Sequence, residues 1–361
     1  MSLLRLKVNN FRNLHSLSLE CESNFNLIFG ANGSGKTSIL ESIYYLSRGR
    51  SFRSHTSNRI ISYGAENFSI FGAVATHEGL TVPVGIEKTL NGKTRIKLGN
   101  DELTSSAELA QTLPLLMINP DSYSLLDGGP KMRRQFLDWG VFHVEPQFFS
   151  IWQRFHRALK QRNAALAQEV SAKEVKVWDA ELVSHGLELT KLREHYIQQL
   201  VPVVEEILSQ LIDLEGLVIT FQRGWDPQSD LQQELDNAFV RDKHLGFTSV
   251  GPQKANLDIR INKLPVHDVL SRGEQKLLVF SMLLAQGIQL RRCSEKKCIY
   301  LLDDIAAELD TQRWQRIKAV LVELQAQVFI TATDISFFSE LRDSVPSKLF
   351  HVEHGTARTP L

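Results

Sequence analysis

The run Gly30-Ala31-Asn32-Gly33-Ser34-Gly35-Lys36-Thr37 constrains this chain more than any other feature. It fits the pattern GxxxxGK[ST], and its surroundings agree with it. Phe25 to Phe29 is a short, mostly apolar run ending at Gly30, as a buried central strand would. From Thr37 to Leu46 the pattern turns helical, with Ile39, Ile43 and Leu46 on one face. Glycines let the backbone curl so that its N–H groups converge on phosphate oxygens at the positive end of the helix. The expectation is a nucleoside-triphosphate site lined from Gly30 to Ser38. Lys36 would reach the β- and γ-phosphates, and Thr37 would ligate Mg²⁺. A chance glycine-rich turn would have neither the strand before it nor the helix after it.

A second feature complements the first. Ile299-Tyr300-Leu301-Leu302 is an apolar run that ends in Asp303-Asp304. In a doubly wound sheet a carboxylate at the C-terminal edge of a central strand lies beside the phosphate loop. Asp303 is therefore expected to hold Mg²⁺ through water, and Asp304 to orient the attacking water. Acidic residues commonly end strands, so the pair gains its meaning from the loop upstream.

The rest of the chain frames these two motifs. Leu4, Leu6 and Val8 alternate with Arg5 and Lys7, and Leu17 and Leu19 repeat the pattern, as half-buried strands do. Strand-like alternation continues to about Lys97, and Asn91-Gly92 predicts a type I′ hairpin turn. After Pro130 the texture changes. Phe148, Trp152, Phe155 and Leu159, then Leu189, Leu192, Tyr196, Leu200, Val203 and Ile207, recur at helical spacing. Two long helices in an antiparallel hairpin, split near Ser171 to Lys176, are the simplest reading, and their apolar stripes are core seams. After Gly246 come a strand-and-turn texture, a helix from about Gly273 to Leu290, and strands at Ile299–Leu302 and Val328–Thr331. The fold class is thus α/β, interrupted by a helical insertion, without internal repeats.

Leu270-Ser271-Arg272-Gly273-Glu274-Gln275-Lys276 precedes the double Asp. Alone it reads as a capping box, Ser271 at the helix N-cap and Glu274 three positions on. In order after a phosphate loop and before Asp303, Ser-Arg-Gly-Glu-Gln resembles the signature motif of ABC-type ATPases, and Asp310 in Ala307-Glu308-Leu309-Asp310 resembles their D-loop. The resemblance implies an ABC-type P-loop ATPase head with a mixed sheet, spanning 1–128 and 247–361, interrupted by a helical arm at 129–246. It also implies a composite site: Ser271 and the helix behind Gly273 in one protomer meet the γ-phosphate on its partner's phosphate loop, and two ATP molecules are sandwiched in a homodimer.

The helical hairpin between Lys36 and Ser271 is similar to the SMC-like branch of that superfamily, and within it to the RecF family. The likeness covers nearly the whole chain. It includes Asn10-Phe11-Arg12-Asn13, Ser47-Arg48-Gly49-Arg50-Ser51-Phe52-Arg53 and Arg133-Arg134-Gln135-Phe136-Leu137-Asp138. That family implies an ATP-dependent protein of recombinational DNA repair, replication restart and the SOS response. It would be a weak, DNA-stimulated ATPase that binds gaps and junctions of single-stranded and duplex DNA and helps load recombinase with RecR and RecO. Three positions depart from the pattern. Asp304 stands where ABC heads have Glu, one methylene longer, so hydrolysis is expected to be slow. Thr333-Asp334 stands at the switch, usually His before Asp. Gly251-Pro252-Gln253-Lys254 stands where relatives more often have His and Arg after Gly-Pro. In Ile118-Asn119-Pro120-Asp121 the Q-loop ligand is either Asn119 or Asp121. Arg12 is either a nucleotide contact or half of an ion pair closing the strand turn.

Composition excludes some partners and leaves others. Lys+Arg and Asp+Glu are both 41, so DNA contacts must come from local patches. Candidates are Arg48, Arg50, Arg53 and Arg59; Lys131, Arg133 and Arg134; and Arg154, Arg157 and Lys160 along one helix face, each of which is otherwise an ordinary solvated face. Cys21, Cys293 and Cys298 lack zinc-site spacing and read as free thiols of a reducing compartment. No stretch approaches the ~18 apolar residues of a membrane span, and a cytoplasmic location is expected. A transporter's ATPase subunit is disfavoured by the long insertion, a nuclease by the lack of an acidic cluster after Asp310, and a purely structural clamp by the short hairpin.

Overall fold

The computed structural model describes residues 1–54, 56, 59–76, 79–168, 170–305 and 310–360. Contact density divides the chain into two compact units, 1–122 with 290–361, and 123–289.

The first unit holds two sheets. One is antiparallel, ordered β2 (Leu14–Glu20), β1 (Ser2–Phe11), β4 (Asn67–Ala75), β5 (Thr81–Thr89), β6 (Thr94–Leu98) and β7 (Asp101–Leu103). The other is ordered β15 (Thr356–Arg358), β14 (Ser347–Glu353), β3 (Phe25–Phe29), β13 (Gln327–Ala332), β12 (Ile299–Leu302) and β8 (Leu115–Ile118). All of its pairs are parallel except β14 with β15. The fold class is therefore α/β with mixed sheets. Every residue of β12 and β13 is buried, which is why these strands read as continuous apolar runs rather than alternating ones. Helix α1 (Lys36–Arg48) follows β3, and Ile39, Ile43 and Leu46 are all fully buried in this unit's core. It ends at Gly49 in the left-handed conformation, whose N–H donates to Tyr45 O.

The β5–β6 hairpin differs in detail from the type I′ turn expected. Of the two turn residues only Gly92 has positive φ, 85°. Gly92 N–H donates to Thr89 O and Thr89 N–H to Lys93 O, the three-residue loop in which a turn is followed by one left-handed glycine. Leu90 at the turn's first central position removed the need for a second positive φ.

The second unit is built on helices α2 (Phe148–Ala167) and α3 (Asp179–Leu211). Arg162 bonds Asp179 near the turn, while Gly186 packs at the Phe155 ring, so the two helices run antiparallel. The polar split between them is a short helix, Ala172–Lys176, started by a Ser171–Glu174 capping box. A three-stranded sheet, β11 (Leu264–Pro265), β10 (Asn256–Ile261) and β9 (Leu217–Gln222), lies in the same unit. By contact clustering, segment 247–289 groups with this unit. The physical reason is that β10 pairs with β9, and Leu278, Val279, Met282 and Ala285 join this unit's core.

The motif at Arg133–Asp138 is internal scaffolding. Arg133 donates to Asn256 Oδ1 and Leu126 O, Arg134 to Ala255 O, and Asp138 accepts both arms of Arg193. Arg193 also donates to Pro252 O at 2.9 Å, which anchors the Gly251–Lys254 loop.

Candidate functional site

Parallel strands in one sheet deliver their C-terminal ends to one edge. Here β3 ends at the phosphate loop, β12 ends at Asp303, and β13 lies hydrogen-bonded between them. The loop's backbone requires its glycines. A Cβ on Gly30 would lie 2.2 Å from Val352 O, and Gly33 and Gly35 have φ of 78° and 121°.

A cavity of about 490 Å³ opens over the loop. It is lined by Asn32, Gly33, Gly35, Lys36, Thr37 and Ser38, by Asp303, Asp304 and Thr331, and on a further side by Arg12, Asn13, Arg53, Arg59 and Ile61. Gly30, Ala31 and Ser34 complete the loop without lining the cavity. Lys36 is buried, and its Nζ donates to Gly30 O at 2.7 Å and Ala31 O at 3.0 Å. Burial lowers its pKa, opposed by Asp304 and Asp303. Thr37 Oγ1 donates to Asp303 Oδ1 at 3.2 Å. Burial raises the Asp303 pKa against the bonds from Thr331 and Thr37, and repulsion from Asp304 adds to it.

That unfavourable burial is an observation about metal fit. A hydroxyl and a carboxylate side by side, with a buried charge only partly compensated, suit a divalent cation that takes its other ligands from phosphate and water, as Mg²⁺ does. Among the described residues there is no group of three or more His, Cys, Asp or Glu able to hold a metal alone.

Asp304 adopts φ 54°, and its Oδ1 is buried without a hydrogen-bond partner. A non-glycine residue in that region at a site edge stores strain that its surroundings must hold. The ion pair foreseen for Arg12 is present. The guanidinium pairs with the fully buried Glu41 at 2.6 Å, and Arg12 lines the cavity. Glu41 also accepts from Ser51 and, at 3.5 Å, from Arg53.

The remaining candidates are distributed differently. Ser271 forms the capping box: its N–H and Oγ donate to Glu274 Oε2 at 2.8 and 2.6 Å, and Gly273 lies in the first turn of helix α4 (Arg272–Ser294). Asp310 caps the helix Thr311–Glu323, its Oδ1 accepting from Arg313 N–H. Ala307, Glu308 and Leu309 lie outside the described residues. Asn119 Oδ1 accepts from Ser122, and neither Asn119 nor Asp121 lines the cavity. Thr333 is exposed, whereas Thr331, two residues earlier, reaches Asp303. Sequence reasoning passed over Asn13, Glu41 and Thr331. Asn13 accepts from Ser38 Oγ and donates to Gly33 O, bracing the loop. Glu41 lies on the side of α1 opposite Ile39, Ile43 and Leu46, so the helical pattern gave no signal of its burial.

A phosphate loop, a carboxylate at the end of the parallel strand next but one in the sheet and an inserted helical unit define the class: an ABC-type P-loop ATPase head. The profile of the RecF/RecN/SMC N terminal domain family matches residues 2–358. The chain is 44% identical over 357 residues to the DNA replication and repair protein RecF of Pseudomonas entomophila (strain L48), covering 98% of this chain and 97% of that one. It is 43% identical to the RecF of Pseudomonas putida (strain GB-1) over the same shares. A solved structure of the recombination mediator protein RecF with ATP, in the RecFOR pathway, superposes with a TM-score of 0.88 at 25% identity, covering 99% of this chain and 97% of that one. An Smc head bound to the C-winged helix domain of ScpA shares the fold, with a TM-score of 0.62 at 15% identity over 100% of this chain and 97% of that one. The chain belongs to the RecF/RecN/SMC family, on its RecF branch.

Proposed function

We propose that this protein is an ATP-dependent DNA-binding protein of recombinational repair and replication restart. The observation that carries the proposal is the Thr37–Asp303 contact within a cavity also lined by Lys36 and three arginines. Mg²⁺ held there would supply charge neutralisation between the β- and γ-phosphates. Lys36, now on loop carbonyls, turns to the phosphates. Asp304 orients water for a slow hydrolysis, and the short carboxylate is the reason for the slowness. Ser271 and Asp310 act across a homodimer around two ATP molecules. The functional head on this reading comprises 1–128 and 247–361, with 129–246 as its arm.

The likeness to RecF supports gaps and single-strand/duplex junctions as the DNA target, RecR and RecO as partners in recombinase loading, DNA-stimulated ATPase activity, a role in the SOS response and a cytoplasmic location. No helix among the described residues is long and apolar enough to cross a membrane. The test is binding to gapped, single-stranded and duplex DNA with and without ATP. Preference for the gapped substrate that appears only with ATP is expected; equal weak binding to all three in both states would overturn the reading.

A further inference from the structure

A second cavity, of about 290 Å³, lies on the helical hairpin and is lined by Arg154, Arg157, Trp178, Glu181 and His185. Arg154 and Arg157 stand one helical turn apart on α2, both exposed. Among the described residues neither has a hydrogen bond or ion pair, although Glu181 shares the cavity. Arg162, further along the same helix, shows the contrast: it is fully buried and neutralised by Asp179 at 2.7 Å and Asp242 at 2.9 Å. That buried pair fixes the start of α3 against α2, and Trp178 is the residue immediately before it. The indole is therefore held beside the two free guanidinium groups by a rigid support. His185, mostly buried, closes the inner side, its Nδ1 3.6 Å from Glu188.

We propose that this cavity is a single-stranded nucleic-acid subsite, separate from the nucleotide cavity. It takes one phosphodiester between Arg154 and Arg157 and stacks one unpaired base on Trp178. Arginine contacts phosphate with two parallel N–H donors, and an aromatic face receives any base whatever its sequence. Duplex DNA cannot offer an unstacked base, so the subsite discriminates strand state rather than sequence. Glu181 limits the cavity to a single phosphate by repelling a second. Lys160, a turn beyond Arg157 and exposed, continues the cationic track along α2. The inference rests on the DNA-binding reading given above and names where one strand is held.

The test uses the full chain and a fluorescein-labelled oligothymidylate, titrated over a range of salt concentrations. Arg154→Ala/Arg157→Ala is expected to lower affinity at least tenfold. It should also reduce the steepness of log K against log salt by about 0.7, the value for one phosphate contact on a single strand. Trp178→Ala should lower affinity about tenfold without changing that steepness, because stacking releases no counterions. ATP binding by both variants serves as the check that they fold, since none of these residues lines the nucleotide cavity. Wild-type affinity and salt dependence in the double variant would overturn the subsite while leaving DNA binding elsewhere intact. Failure of the unaltered protein to bind any DNA would overturn the functional reading beneath it. Displacement of the oligonucleotide by a poly-glutamate peptide but not by unlabelled single strand would assign the cavity to acidic protein instead, and also overturns the proposal.

Discussion

Thr331 Oγ1 donates a 2.7 Å hydrogen bond to Asp303 Oδ1 and accepts the Asp304 backbone N–H at 2.8 Å. One hydroxyl on β13 thus sets the positions of both acidic residues at the end of β12. The bond offsets part of the cost of burying Asp303, but burial dominates and the carboxyl pKa stays raised. For an acid with a raised folded-state pKa, the unfolded state loses its proton first. Between the two pKa values the native state binds more protons, so its stability falls as pH rises through that window.

Asp303→Asn should therefore melt higher than the unaltered protein at neutral pH without nucleotide, by about 2–4 °C for each kcal/mol relieved. The gain should shrink as pH drops into the carboxylate range, where Asp303 is protonated in both states. The same variant should lose the stabilisation that Mg-ATP gives. Thermal melts across pH, with and without Mg-ATP, check both halves; a lower melting point for the variant at neutral pH would contradict the burial argument.

How much of this was legible beforehand depended on whether a signal was local. Strands β3 and β12 stand at the residues their apolar runs marked, because both are almost wholly buried and each stops at a sharp change of residue type, Gly30 or Asp303. The long helices were visible through Phe155, Leu189 and Tyr196. Strand β9 was not, since Leu217, Ile219 and Phe221 alternate over too short a span to stand out. Nor was the helix Leu231–Leu245, only three of whose residues are buried. At the site, the loop and Asp303 were readable from motif and order. Thr331 and Glu41 were not, because their roles arise from pairing between distant strands and from a buried charge network that no spacing encodes.

Asp304→Asn should bind ATP yet hydrolyse it ~10²–10⁴ times more slowly, because Asn keeps the shape but lacks the charge that orients water. The ATP-bound dimer should accumulate. Turnover assays with gel filtration check it, and unchanged turnover would assign water activation to another group.

Lys36→Ala should abolish ATP binding and ATP-dependent dimerisation with the fold intact. Its ammonium is the buried cation of the loop, and arginines across the cavity cannot replace a point charge within it. Equilibrium binding of a fluorescent ATP analogue is the measurement; affinity like that of the unaltered chain would refute the phosphate-loop assignment.

Arg162 bonds Asp179, Asp242 and Thr248 while fully buried. Arg162→Met should cost about 3–5 kcal/mol, since two buried carboxylates lose their counter-charge. Adding Asp179→Asn and Asp242→Asn should recover much of the loss. Urea unfolding followed by far-UV circular dichroism separates these outcomes, and a loss below ~1 kcal/mol would mean water reaches the network.

The composite site separates an ABC head from an ordinary P-loop enzyme, and Ser271 is where the two diverge. Its capping box with Glu274 is complete within one chain, so a purely local role is physically sufficient. Were that its whole role, Ser271→Arg would cost about 1 kcal/mol of helix stability and leave assembly alone. If Ser271 also meets the partner's γ-phosphate, the added bulk and charge should block ATP-dependent dimerisation while monomer ATP binding stays near normal, because that chain's Lys36, Thr37 and Asp303 are untouched. Hydrolysis and ATP-stimulated DNA binding should fall with it. Mixing Ser271→Arg with Lys36→Ala protein then pairs the intact loop of the first with the intact signature of the second, and one working site forms. Light scattering should show partial ATP-dependent dimerisation in the mixture and none in either variant alone. Normal dimerisation of Ser271→Arg would leave Ser271 a helix cap and end the trans-acting scheme.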